Sequence, residues 1–223
     1  MKYSTIIFDL DGTLLDTAEG IMIGANHTAI LMGAPELTVQ QQRRFIGPPP
    51  VESFMRECGF NEEKAREAVK IYRSRYKEKG KFEAKQYSYI KELLFSLKEK
   101  KCTTAVATLK RDDLAKEILE NFELSRHFDV IFGVDDADTL SKSDLILMCL
   151  EEIGQNDLSK AVLIGDSMHD AIGAEKVGID FIAVTYGYGF ESKVDASKCK
   201  NVYVTESVEE LFDFLELKQT IKY

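Results

Sequence analysis

Two short acidic motifs carry the residue types and spacings that could do chemistry. The first, DLDGTLLDT, places Asp9 and Asp11 two residues apart, directly after the apolar, β-branched run Ser-Thr-Ile-Ile-Phe at 4 to 8. A run of that kind reads as a buried strand, so strand periodicity starts both carboxylates in the same direction at its carboxyl end. Two negative charges there call for a cation. A hard divalent ion such as Mg2+ suits carboxylate, carbonyl and water oxygens, while Gly12 permits a sharp turn and Thr13 can hydrogen-bond within it. An isolated pair of this kind could equally form an Asx turn. The pair is not isolated, because GDSMHD at 165 to 170 follows a second apolar run and delivers Asp166 to the end of another strand. The next helix should open near Ser167. Asp170, one turn on, then either caps that helix or acts behind the metal, by holding a bound water or orienting a lysine. His169 reads as an exposed first-turn residue.

The elements that must position these groups follow from periodicity. Strand-like runs recur at 102 to 108, 128 to 133, 161 to 165, 181 to 186 and 201 to 204, with helical patterns at about 88 to 101, 111 to 122, 142 to 154, 168 to 177 and 206 to 217. This alternation predicts an α/β fold, a doubly wound, Rossmann-like parallel sheet whose ligands sit at the carboxyl ends of the strands. Residues 17–85 break the rhythm. They hold four helix-compatible stretches and no convincing strand, with Thr38, Asn61, Gly33, Gly59 and Gly80 as caps and stops and Pro48 to Pro50 as a non-helical loop. The expected organisation is a core of residues 1–16 and 86–223 carrying a small inserted helical cap of residues 17–85.

Composition narrows the partners. The formal charge is −9, from 38 acidic and 29 basic residues, without a basic cluster, which disfavours nucleic-acid polymers and anionic membrane surfaces. An anionic substrate must then be drawn by a local device, such as a metal ion or a helix N-terminus. Cys58, Cys102, Cys149 and Cys199 are widely spread and form no CxxC pair, so neither a zinc site nor a disulfide framework is indicated. With no leader-like opening and no bilayer-length apolar run, the expectation is a cytoplasmic protein, monomeric or homodimeric. The acidic run Asp135, Asp136 and Asp138 reads as a solvated loop in preference to a second metal site.

Taken together, DLDGTLLDT, the strand-terminal Thr108 in AVATLK, Lys142 and GDSMHDAIGAEKVG resemble the four signatures of the haloacid dehalogenase superfamily. The likeness spans essentially the whole chain and is strongest to the branch of phosphoglycolate phosphatases and β-phosphoglucomutases. The insertion resembles the small mobile cap of that branch, and FIGPPPVESF, with Gly47, resembles the cap loop of phosphoglycolate-phosphatase-like members. The resemblance implies that Asp9 is a nucleophile forming an aspartyl-phosphate and that Asp11 is the general acid and base. It further implies that the Asp9 and Asp166 carboxylates and the Asp11 carbonyl hold Mg2+. The Leu10 and Leu109 backbone N–H groups, Thr108 and Lys142 would bind the phosphoryl oxygens, with Asp170 behind them.

Three departures from the pattern are visible. Leu109 stands where asparagine or serine is usual, Ser143 follows Lys142 in place of proline, and Ser88-Tyr89 replaces the proline-glycine where the chain re-enters the core. Lys110, beside the same strand end, is a rival to Lys142. The expected function is Mg2+-dependent hydrolysis of a small phosphorylated metabolite, such as phosphoglycolate, a nucleoside monophosphate or a sugar phosphate. The alternatives are a β-phosphoglucomutase-like phosphomutase and a non-enzymatic binding protein on the same fold. A dehalogenase is disfavoured, since attack on carbon has no use for Asp11 or a metal cluster.

Overall fold

A computed structural model describes residues 1–135 and 139–217. The chain forms two compact units, one of Met1–Leu15 with Gln86–Tyr223 and one of Asp16–Lys85. The first is built on a six-stranded, all-parallel sheet of β1 (Thr5–Phe8), β4 (Thr103–Arg111), β5 (Val130–Val134), β6 (Ala161–Gly165), β7 (Asp180–Val184) and β8 (Tyr203–Thr205). Their order is β5-β4-β1-β6-β7-β8. β1 therefore lies where the winding reverses, with β4 on one side and β6 on the other, and such a switch point opens a crevice at the carboxyl ends. The register makes the alignment definite, since Phe8 pairs with Val106 on one side and Ile164 on the other. Asp9 thus emerges one residue beyond both pairings, beside the part of β4 that holds Thr108 and the end of β6 that Asp166 follows.

The strands are apolar because both faces of the sheet are covered. Ile7, Ala105, Ala107, Leu163 and Ala183 belong to a buried cluster with Leu145, Ile146 and Cys149 of α7 (Lys142–Ile153) and Ala171 and Ala174 of α8 (Met168–Val177). Phe8, next along β1, points the opposite way and meets Phe128 edge-on at 6.1 Å between ring centres. α5 (Ile90–Glu99) and α6 (Asp112–Asn121) pack against β4, and α10 (Val208–Phe214) packs against α5 and β8. A short α9 (Lys193–Ala196) precedes β8. The doubly wound architecture read from the sequence is the one observed.

The second unit contains α1 (Ala18–Leu31), α2 (Val39–Arg43), α3 (Pro50–Cys58) and α4 (Glu62–Glu78). Its core is aromatic, with Phe54 packed against Phe45, Phe60 and Tyr72 at ring separations of 4.9, 6.4 and 6.1 Å. Thr38 and Asn61 cap α2 and α4 as expected. Two local expectations fail. Pro50 is the first helical residue of α3, where its missing N–H has no partner to lose, so the proline cluster opens a helix as well as bounding a loop. Gly80 does not end α4 in a left-handed conformation; it begins a 3-10 turn, and it is needed because a Cβ there would lie 2.7 Å from the Tyr76 ring.

The chain passes between the units through a two-stranded ribbon of β2 (Leu15–Asp16) and β3 (Lys85–Gln86). Just beyond β3, Tyr89 adopts φ +65°, the left-handed backbone that a glycine tolerates and an L side chain resists. Among the described residues no helix is long and apolar enough to cross a membrane.

Candidate active site

The acidic turn after β1 is fixed by its own backbone. The Asp9 N–H donates to Ile164 O at 2.9 Å, and the Leu10 carbonyl accepts from the N–H groups of Thr13, Leu14 and Leu15. Gly12 turns the chain at φ +79°, and a Cβ on it would lie 2.2 Å from Asp166 Oδ2. Only glycine satisfies both demands. The two acidic motifs, far apart in sequence, are therefore in contact at the edge of the sheet.

Lys142 is the first residue of α7, set by the Ser141 cap, and its side chain is buried. Its ammonium lies 2.5 Å from Asp9 Oδ1, 2.6 Å from Asp170 Oδ1 and 2.8 Å from the Ala107 carbonyl. Asp170 serves both roles left open by the sequence. Its Oδ2 accepts from the Ser167 N–H at 3.0 Å and hydroxyl at 2.6 Å, capping α8, while its other oxygen orients the lysine. Asp166 is held by a loop whose part was not legible beforehand. The Tyr188 and Gly189 N–H groups donate to Asp166 Oδ2 at 2.7 and 3.1 Å. At Gly187, a Cβ would come within 2.3 Å of Gly12 O. The signal in the sequence is the pair of glycines in TYGYG at 185 to 189, which marks a tight loop and does not by itself name the carboxylate that the loop receives.

Burial dominates the electrostatics. It pushes Asp9 up to about 8, with Lys142 opposing and Asp170 and Asp166 reinforcing the shift. Burial and the nearby Asp170 push Asp166 up to about 7, against the two loop N–H groups. Burial also disfavours the charge on Lys142, but the Asp170 and Asp9 carboxylates overcome it and hold the ammonium well above the usual lysine range. Asp9, Asp166 and Asp170 each offer a carboxylate oxygen within 4.8 Å of the others. With Asp11 paired to Lys110 at 2.7 Å, four carboxyl groups face two ammonium groups, and a cation that displaced the protons favoured on Asp9 and Asp166 would meet two negative charges in excess. Hard oxygen donors of that kind fit a divalent cation of the Mg2+ type. Asp170 is committed to Lys142 and Ser167, which leaves Asp9 and Asp166 as the side chains suited to hold it.

Thr108 is buried, its Oγ1 accepting from the Lys110 N–H at 3.1 Å, and Leu109 follows it on a stretch where the β4–β5 register shifts. Leu10 is buried within the turn. The Asp11 carboxylate stands apart from the three-aspartate group and lies against Lys110. His169 is exposed. Gly47 belongs to the second unit, in the loop between α2 and α3, at φ +99°. Asp135 accepts from the Thr139 N–H and hydroxyl, as a solvated loop would, while Asp136 and Asp138 lie outside the described residues.

Residues 6–184 match the family model described as haloacid dehalogenase-like hydrolase. The chain belongs to the haloacid dehalogenase-like hydrolases. Within that family it is 38% identical over 197 residues to a 5'-nucleotidase of Pseudomonas aeruginosa, covering 88% of this chain and 89% of that one. It is 34% identical over 211 residues to the tyrosine-protein kinase PtkA of Mycobacterium tuberculosis, covering 94% and 72% respectively. A crystal structure of a predicted phosphatase from Clostridium acetobutylicum superposes with a TM-score of 0.88 at 37% identity, covering 97% of this chain and 99% of that one.

In this haloacid dehalogenase-like hydrolase, one packing contact gives a test of how far the buried lysine depends on its surroundings. A Cβ at Gly173 of α8 would lie 2.6 Å from Lys142 Cγ and 2.9 Å from Lys142 Cβ. On helix propensity alone, Gly173→Ala should stabilise by about 1 kcal/mol. Overpacking a fixed helix pair typically costs about 1–3 kcal/mol, so the clash is expected to win. Urea unfolding should show a net loss of stability, together with at least a tenfold fall in turnover as Lys142 is displaced.

Proposed function

We propose that this protein is a Mg2+-dependent phosphatase that hydrolyses a small phosphomonoester through an aspartyl-phosphate on Asp9. The observation that carries the reading is the buried grouping of Asp9, Lys142, Asp170 and Asp166 at the sheet's switch point. Asp9 Oδ forms the bond to phosphorus as the ester P–O bond breaks, and the Asp11 carboxyl gives its proton to the leaving oxygen. In the second step the oxygen of a water forms the new P–O bond, the Asp9–phosphorus bond breaks, and the water's proton passes to Asp11. Lys142 offsets the charge of Asp9 and of the phosphoryl oxygens, while Thr108 and the Leu10 and Leu109 N–H groups position those oxygens. The Asp9 and Asp166 carboxylates and the Asp11 carbonyl would hold the cation, which supplies Lewis-acid stabilisation of the phosphoryl group. The Asp16–Lys85 unit is read as the cap that selects the substrate, with Gly47 shaping its loop.

The 5'-nucleotidase relative supports nucleoside monophosphates as substrates, and the FIGPPPVESF loop supports phosphoglycolate. The deciding experiment measures phosphate release from phosphoglycolate, nucleoside monophosphates and sugar phosphates, with Mg2+ and with chelator. Release abolished by chelator is expected. Release that survives complete chelation would overturn the metal assignment. Isomerisation of a sugar phosphate without net release would favour the phosphomutase, and phosphate transfer from ATP to a tyrosine peptide would favour a kinase.

The raised carboxyl groups set a pH dependence for metal binding. Asp166 at about 7 and Asp9 at about 8 bind protons that a cation must displace. Mg2+ affinity is expected to rise as pH increases through that window and to level off above it. Titration calorimetry in buffers of different ionisation enthalpy checks the proton release; a pH-independent affinity would contradict it.

A further inference from the structure

Lys110 has no task in the scheme above, yet its side chain is only 8% exposed and its ammonium lies 2.7 Å from Asp11 Oδ2. A lysine is rarely sequestered to that degree without a partner. Its backbone is held on both sides. The N–H donates to Thr108 Oγ1 at 3.1 Å, and the carbonyl packs so closely on Gly133 that a Cβ there would lie 2.4 Å from it. Ladder pairing between β4 and β5 runs to Thr108 opposite Gly133 and resumes at Arg111 opposite Val134. Leu109 and Lys110 thus occupy an irregular, bulge-like stretch, a device that re-aims a side chain beside an active site. Of the acids that follow in the chain, Asp112 pairs with Lys116 at 2.7 Å and Asp113 with Arg111 at 2.5 Å.

We propose that Lys110 is the positioning residue for the acid/base carboxylate. It keeps Asp11 out of the group formed by Asp9, Asp166 and Asp170 and aims it at the oxygen that leaves in the first step and enters in the second. The proposal rests on the assignment of Asp9 as nucleophile and Asp11 as acid and base. Without Lys110 the Asp11 carboxylate swings towards the cation or into solvent, and proton transfer loses its alignment while phosphate binding is retained.

Leaving-group dependence separates this role from a structural one. 4-Nitrophenolate departs without a proton, whereas an alkoxide does not, and hydrolysis of the intermediate always requires deprotonation of water. In rapid-mixing experiments with 4-nitrophenyl phosphate and Mg2+, Lys110→Met should release its first equivalent of nitrophenolate within about threefold of the wild-type rate. Turnover should then fall by about 30- to 100-fold, the size of effect expected when a reacting group is misplaced by roughly 1 Å. Phosphorylated protein therefore accumulates in the mass spectrum. Single-turnover cleavage of an alkyl phosphate should slow by a similar factor, and Lys110→Arg, which restores a cation, should recover most of the loss. Thermal unfolding of Lys110→Met and of Lys110→Gln identifies any variant that is misfolded.

A first step with 4-nitrophenyl phosphate slowed as much as turnover would place Lys110 in phosphate binding and overturn the proposal. Unchanged rates on both esters would overturn it too. Wild-type inactivity on every ester, or full activity of Asp9→Asn, would instead bring down the parent assignment, an outcome distinguishable from a slowed first step.

Discussion

Asp9→Asn is expected to lower phosphatase turnover by about 10⁴-fold or more, the scale seen when a covalent nucleophile is removed. The protein should remain folded. Burial pushes the Asp9 carboxyl up to about 8 and so favours its neutral form, which an uncharged amide of the same shape replaces with little disturbance. Lys142 keeps Asp170 at 2.6 Å as counter-charge. Circular dichroism and thermal unfolding should match the wild type while phosphate release is lost. An active Asp9→Asn protein would sink the nucleophile assignment. A dead but unfolded one would show that the carboxyl also has a structural task, contrary to this expectation.

Lys142→Met is expected to act on both stability and rate. The ammonium is the buried cation beside Asp9 and Asp170, and removing one partner of such a pair typically destabilises by about 3–5 kcal/mol. The effect has a definite pH sense. Asp9 and Asp166 have folded-state values near 8 and 7, above their unfolded ones, so the folded protein holds protons that the unfolded chain releases. Stability of the metal-free protein therefore falls as pH rises through that range. Without Lys142 to oppose them the shifts grow, and the deficit of Lys142→Met should be larger at about pH 8 than at about pH 5.5. Urea denaturation at the two pH values measures it. Turnover should fall by about 10²- to 10³-fold, the range for loss of one electrostatic stabiliser of a transition state. Near-normal turnover would move phosphate binding to another cation, with Lys110 the nearest candidate.

The sheet and its acidic edge were legible because each leaves a local mark. Buried parallel strands are short apolar runs, and DLDGT and GDSMHD are acidic turns directly after two of them. The partner of each carboxylate was less legible, since it is chosen by register and close approach. That Asp170 caps α8 was visible from Ser167 three residues earlier; that its other oxygen reaches Lys142 depends on α7 and α8 packing against each other, with Gly173 leaving the space. The Tyr188–Gly189 clamp on Asp166 required a loop from one strand further along the sheet. Lys110 and Lys142 are both lysines near strand or helix ends, and only the irregular stretch after Thr108 assigns one to Asp11 and the other to Asp9. The strand itself continues to Arg111, three residues beyond its apolar run.

The helical insertion lies between β1, which Asp9 follows, and β4, which holds Thr108, and Thr5 must still pair with Thr103 across it. Closing a longer loop is entropically mild, about 0.6 kcal/mol for each doubling of length. The insertion also has an aromatic core of its own, and the β2–β3 ribbon ties its two ends together, so once formed it spans the gap as a short tether. A change of side chains inside this segment therefore leaves the pairing of β1 with β4, and with it the spacing of Asp9 and Thr108, unaltered.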